Sequence, residues 1–269
     1  MLTISTEIPD PSQFVKYEVI DGIAMEYNRA SREKKGQKGN YTIDVELLTD
    51  QLEISVQWEE VEEPDGTLFL ARYTPPPEEN ITINQRHTDL FDERPHVFVA
   101  AVGHEIGHKV LRHGDYSETG TTALPLFPDA TPKPQYFHKS SWGQYGMTRE
   151  DVEKHKALVK EVAKRAMIDK EARQLIAQIQ CFYEPEWIFW QAEHFARCLL
   201  IPKDLLLGEL ENPWDLSRWG DIYRLGELFG VSGPMMKARL VKLGIIKIGE
   251  DGKPHPVQIA RQGGLFKVI

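Results

Sequence analysis

Hydrophobic residues fall into helical and strand-like registers along most of the chain. Phe98, Val99, Val102, Ile106 and Val110 recur at helical spacing and predict an amphipathic helix. Pro95 suits its first turn and Gly114 its stop. Upstream, Val45, Leu48 and Leu52 predict a short helix, and Ile54, Val56 and Trp58 alternate as in a half-buried strand. Pro64-Asp65-Gly66 is a turn signal, Thr67–Tyr73 reads as the strand returning from it, and the acidic run Glu59–Glu63 decorates the solvent side of this hairpin. Pro75-Pro76-Pro77 breaks the pattern before a third short strand, Ile81–Asn84. Residues 1–40 carry no clear register, and Arg32–Lys38, basic and Gly-containing, reads as a solvated loop.

Gly114–Gly146 is rich in Pro, Gly, Ser and Thr and includes Tyr136, Phe137 and Trp142, a connection long enough to shape access to a site. Thr148-x-x-Asp151 resembles a helix start, and Leu158, Val162, Leu175 and Ile179 support helix to about Phe182. A further helix runs from about Glu186 to Leu200 and stops before Pro202, and Asn212-Pro213 has the form of the next helix's cap and first turn. Residues 221–244 predict a helix-turn-helix: one helix to Phe229, a Gly230-Val231-Ser232 turn, and a second helix from near Pro234 capped by Ser232. Ile245–Ile248 and Pro256–Ala260, flanking Glu250–Lys253, predict a hairpin wing. Lys237, Arg239 and Lys242 of the second helix either contact phosphate or form a solvated face. No internal repeat is visible.

Composition narrows the class. The 269 residues are 41% hydrophobic and 27% charged, ordinary for a globular protein, with no apolar run of the ~18 residues a membrane span needs. The first ten residues lack the basic start and apolar core of a signal peptide. Two cysteines, Cys181 and Cys198, are too few for a disulfide scaffold and read as small buried hydrophobes, so a reducing cytoplasm is the expected location. The net charge of −9 disfavours bulk affinity for nucleic acid or anionic membranes. From Arg218 onward, however, nine Lys and Arg residues stand against four Asp and Glu, so a basic tail follows an acidic body. That asymmetry suits either docking of tail on body or a nucleic-acid contact.

The chemistry concentrates in His104-Glu105-Ile106-Gly107-His108, an HExxH pattern on the predicted amphipathic helix. Residues four apart share a helix face, so His104 and His108 can each offer an imidazole nitrogen to one zinc ion, at about 2.0–2.1 Å. Glu105, about 100° further round, falls beside the ion rather than on it. There it can act as general base toward a water that zinc acidifies, which points to hydrolysis of a peptide bond. Gly107 costs about 1 kcal/mol relative to Ala in a helix, and close approach of another element to the metal face would account for it.

Catalytic zinc takes three protein ligands, and HExxH supplies two. The extended pattern HExxHxxGxxH is excluded, because it needs Gly and His where Leu111 and Gly114 stand. His113, about 140° round the helix from His108, cannot easily share that ion and reads as a helix-end residue favouring the dipole. The alternative is a carboxylate from the helix at Glu186–Leu200, where Glu186 and Glu193 share a face.

This helix, through Ala192, Phe195, Ala196, Leu199, Leu200 and Pro202, resembles the E-x-x-A-N-x-F-A-x-x-L-L-M-P segment of the ImmA/IrrE family of zinc metallopeptidases, with Ile201 in place of Met. The Ile81–Asn84 strand, Phe98–His104, Leu225-x-x-x-Phe229-Gly-Val-Ser232 and Arg239-Leu240-x-x-Leu243-Gly244 also look like the family, and the resemblance covers roughly residues 41–246. The sequence departs from it at the family's metal-binding Glu, where Phe189 stands; Glu193 occupies the usual Asn position. The third ligand is therefore Glu193, Glu186 or no carboxylate of this helix.

The resemblance implies an α+β fold: a mostly helical zincin-like peptidase domain with a small N-terminal sheet and a C-terminal helix-turn-helix-like module. The expected boundaries are an extension at 1–40, a metallopeptidase core at 41–212 with an insertion at about 114–183, and a C-terminal module at 213–269. It also implies a cytoplasmic Zn2+ endopeptidase that cleaves a DNA-binding regulator such as a repressor, in control of phage, mobile elements or stress. His104, His108 and Glu193 would hold the metal, Glu105 would be catalytic, and the Ile81–Asn84 strand would hold an extended substrate by strand addition. Other classes are a DNA-binding regulator with a structural or vestigial zinc site and an antitoxin-like module that binds a partner without catalysis; no membrane partner is expected.

Overall fold

The computed structural model describes residues 15–35, 41–62, 69–113, 186–257, 259–262 and 265–268. The Pro64–Gly66 turn, the Gly114 stop, the 114–183 insertion with its predicted helix, and Cys181 lie outside the described residues. Helix α1 spans Tyr17–Lys35, α2 Val45–Gln51, α3 Thr88–Glu93 and α4 Pro95–Val110. Strands β1 (Ser55–Glu59), β2 (Ala71–Thr74) and β3 (Asn80–Asn84) lie between α2 and α3. After the undescribed segment come α5 (Glu186–Leu200), α6 (Lys203–Glu209), α7 (Trp219–Leu228) and α8 (Gly233–Lys242), then β4 (Ile246–Ile248), β5 (Pro254–Pro256), β6 (Ile259–Gln262) and β7 (Leu265–Val268). The fold is α+β. Among the described residues no helix is long and apolar enough to cross a membrane.

Helices α4 and α5 pack side by side at the centre, α1 lies along α5, and β2 lies against α4. Gly107 permits the central contact: a Cβ there would stand 3.1 Å from both Cα and the carbonyl oxygen of Ala192, and 3.2 Å from the Phe195 ring. The close approach expected from the motif's glycine is thus made by α5. α4 begins with Pro95 at its first turn, as expected. It ends at Val110, where Arg112 takes a left-handed conformation with φ of 57°. It is more enclosed than an amphipathic surface helix, being buried at every position from Ala100 to His108.

The three-stranded sheet has the order β1-β3-β2. β1 runs parallel to β3, with Val56 opposite Ile81, and β2 runs antiparallel to it, with Tyr73 opposite Ile81. The predicted β1–β2 hairpin is therefore not formed, because β3 lies between them. Asn84, fully buried, helps hold this arrangement: its Oδ1 accepts from the Val61 N–H at 3.1 Å, and its Nδ2 donates to the Phe69 carbonyl at 3.1 Å. With both edges of β3 paired, a substrate strand cannot add at Ile81–Asn84. The outer edge of β2 instead faces α4. Trp58, Phe91 and Phe98 pack together with ring centroids 5.6–6.1 Å apart, joining β1 to the start of α4.

Residues 15–35 are less loop-like than their pattern suggested. α1 carries through Arg32 to Lys35, and Ile20, Ile23 and Ala24 are buried. The Asn28 amide donates to the Leu199 carbonyl at 2.8 Å, and Tyr27 meets the edge of Phe195. One hydrophobic cluster runs through α1, α2, the sheet, α4 and α5 into α7, α8 and β4.

α7 and α8 form the expected helical pair, with Ser232 capping α8 by accepting from the Met235 N–H at 3.2 Å. Gly230 makes the turn at φ of +67°, packed so closely on Thr42 that a Cβ would meet its methyl at 2.8 Å. The wing is present as β4 paired with β5, the second strand falling at Pro254–Pro256 rather than 256–260. No helix starts at Asn212-Pro213; α6 precedes it and α7 begins at Trp219. The basic residues of α8 divide: Arg239 faces inward, while the half-buried Lys237 and the exposed Lys242 lie over aromatic rings. Arg239 is fully buried, Lys242 Nζ sits 3.9 Å from the centre of the Tyr17 ring, and Lys237 Nζ 5.7 Å from that of Trp219. Met235 and Met236, at the start of α8 where a reading helix would meet bases, are buried.

Candidate metal centre

The helical repeat carries His104 and His108 onto the face of α4 that meets α5, and both are almost completely buried. Their Nε2 atoms face each other at 3.1 Å, with ring centroids 4.9 Å apart. Two imidazole nitrogens on one tetrahedral zinc at about 2.05 Å would lie about 3.3 Å apart. The pair therefore already stands at the separation one ion requires.

The other nitrogen of the His108 ring is engaged from behind. His108 Nδ1 is 3.0 Å from His113 Nδ1, and His113 Nε2 is 3.2 Å from Gln191 Oε1. Gln191 Nε2 donates to the Val15 carbonyl at 3.3 Å. On the other ring, Glu193 Oε2 lies 3.6 Å from His104 Nδ1, and Arg197 Nη2 donates to Glu193 Oε1 at 3.0 Å. Carboxylates and amides behind ligating imidazoles are the usual means of fixing ring orientation at zinc.

This geometry changes the part expected of Glu193. The sequence placed its carboxylate on the metal; the structure places it on the Nδ1 side of His104, across the ring from the converging Nε2 atoms. Phe189, where the resemblance would put Glu, lies with its ring 5.2 Å from that of His104. The Glu186 side chain lies outside the described residues. Among the described residues, no group of three or more His, Cys, Asp or Glu side chains is arranged to hold a metal ion. The histidine pair fits zinc in separation and in chemistry, as two of its donors.

His113 also differs from expectation. It is buried rather than displayed at the helix end, and burial, the largest influence, pushes its pKa down to about 3, outweighing the raising effect of the Gln191 hydrogen bond. A neutral ring contributes no charge to the helix dipole. Neither His113 nor Gln191 was recognisable as part of the site from sequence. The five-residue step from His108 was the only available signal, and it argued against a shared metal.

Glu105 is 1% exposed and lies beside the histidine pair on α4. Its Oε2 accepts from the backbone N–H of Tyr73 at 2.7 Å. That donor lies on the outer edge of β2: Leu70 pairs with Asn84, so the alternating Ala71 and Tyr73 direct their backbone groups away from β3. The Tyr73 hydroxyl donates to Glu79 at 2.5 Å, and Glu79 also pairs with Lys109, next to His108. These contacts tie the edge strand to α4 and leave the Glu105 carboxylate oriented by a backbone donor rather than by a mobile side chain.

No protein-family model matches the chain, and no curated protein matches it.

Proposed function

We propose that the chain is a zinc-dependent endopeptidase of the ImmA/IrrE type, whose substrate is a DNA-binding regulatory protein. The observation that carries the reading is the buried His104–His108 pair, with Nε2 atoms 3.1 Å apart and Glu105 on the next helical position. The choice of substrate rests on the family resemblance alone.

His104 and His108 would hold the ion. When bound, zinc supplies Lewis acidity that polarises a carbonyl and acidifies water. Glu105 takes the proton from the attacking water and delivers it to the departing amine. The Tyr73 N–H keeps the carboxylate aimed while it does so. Enclosure of the site by α4, α5 and β2 keeps bulk water from competing for these groups. Glu193, paired with Arg197, stands 3.6 Å from His104 Nδ1, on the side of the ring away from the ion.

A DNA-reading function for the C-terminal pair has less support, since Arg239, Lys237 and Lys242 are each engaged within the chain. The deciding experiment is Glu105→Gln. The variant is expected to bind zinc with wild-type stoichiometry while cleavage of a cognate regulator falls about 10²–10⁴-fold. Full activity in that variant would sink the mechanism.

A further inference from the structure

The relay behind His108 ends on a group whose hydrogen-bonding sense has no ambiguity. The Val15 carbonyl can only accept, so the Gln191 group facing it at 3.3 Å is the NH2. The Gln191 oxygen therefore faces His113 Nε2 at 3.2 Å, and that nitrogen carries a proton. An imidazole whose proton sits on Nε2 presents its Nδ1 as an acceptor. His108 Nδ1, 3.0 Å away, must then be the donor, and the His108 lone pair falls on Nε2, facing His104.

We propose that His113 and Gln191 are positioning residues that lock His108 in its Nδ1–H tautomer, presetting Nε2 as the ring's lone-pair nitrogen for a metal ion before any ion arrives. The proposal deepens the zinc-peptidase reading and rests on it for the identity of the ion, though not for the tautomer. Sequence spacing hides the device: Val15, His108, His113 and Gln191 come from the segment before α1, from α4, from just beyond α4 and from α5. The relay makes the placement of the chain ahead of α1 part of the metal site's geometry.

The test is a long-range 1H–15N spectrum of metal-free wild-type protein labelled at histidine nitrogens, near pH 7.5. The expected pattern is a proton on Nδ1 of His108 and on Nε2 of His113. Zinc affinity is then measured by chelator competition in Gln191→Leu, which cannot accept from His113, and in Gln191→Glu, whose carboxyl group can. Gln191→Leu is expected to lose about 10–100-fold in affinity, with Gln191→Glu recovering most of it. A proton on His108 Nε2 in the metal-free wild type overturns the proposal, as does zinc ligation by His113 Nδ1. A folded Gln191→Leu with wild-type affinity does the same. If the wild-type tautomers are as expected but the protein takes up no zinc, the relay stands and the peptidase reading falls. The spectrum of the unaltered chain decides the tautomer even where a variant does not fold.

Discussion

The two sides of α5 both bury polar groups, and the contrast between them separates a site from a clamp. On the side facing away from α4, Arg239 is answered at every nitrogen. Its Nε donates to the Ile201 carbonyl at 3.0 Å, Nη1 to Cys198 Sγ at 3.1 Å, and Nη2 to Asp21 at 2.6 Å. Cys198 Sγ lies 3.4 Å from His194 Nε2, which is 3.3 Å from the Tyr17 carbonyl. Burial pushes the Cys198 thiol pKa far up and the His194 pKa down to about 4, so one stays a thiol and the other a neutral ring. On the side facing α4, His104 and His108 bring their Nε2 atoms to 3.1 Å from each other. Two imidazole nitrogens that close share a proton or a cation. A polar cluster that closes on itself joins α1, α5 and α8; one whose nitrogens converge on a single point can hold an ion.

Substitutions should separate the two sides cleanly. The largest effect is expected on the clamp: Arg239→Ala strands Asp21 and should cost about 3–5 kcal/mol of unfolding free energy, as for other broken buried ion pairs. Asp21→Asn combined with Arg239→Met should recover much of that loss, and denaturant titration reads both. If Arg239→Ala is nearly silent, the network is not a clamp. Next in size is metal linkage on the other side. Zinc at about 100 times its Kd should stabilise wild type by about 2.7 kcal/mol and should leave His108→Ala unmoved, as calorimetry would record. Arg239→Met should retain the zinc-induced shift.

Gly107→Ala sharpens the contrast at the helix contact itself. The added Cβ meets backbone of α5 rather than a yielding side chain, so an overpacking cost of about 1–3 kcal/mol should outweigh the roughly 1 kcal/mol gained in helix propensity. A raised melting temperature would show that α4 and α5 can separate freely. The gentlest expected effect is a pH slope from His194. Its folded pKa of about 4 lies below its unfolded value, so the unfolded chain binds the extra proton in the window between them. The contribution to stability is complete above about pH 6.5 and declines as pH falls toward 4, by at most about 1.4 kcal/mol per pH unit. His194→Phe should flatten that acid limb in urea titrations at stepped pH, and an unchanged limb would remove His194 from the account.

Much of the local structure was legible along the chain. Pro95 and the apolar register of 98–110 marked α4, the run ending before Pro202 marked α5, and Ser232 marked the start of α8. HExxH predicted that two imidazoles would share a helix face, and Gly107 that another element would come close. These are short-range properties, set by helix geometry, capping and the missing Cβ of glycine, and a sequence carries them without reference to distant residues. α1 was missed because its apolar positions find their meaning only against α5.

Tertiary structure decided the rest. β3 entered between β1 and β2 because strand pairing joins residues far apart in sequence, and alternation within a strand does not name the neighbour. The position of Glu193 turned on which nitrogen of His104 it would meet, a matter of how two helices are rotated against each other and therefore invisible to spacing. His113 and Gln191 joined the site only when α4, α5 and the segment before α1 were packed together. Sequence determined which side chains with metal chemistry ride on one face of a helix; packing determined which groups stand behind each ring.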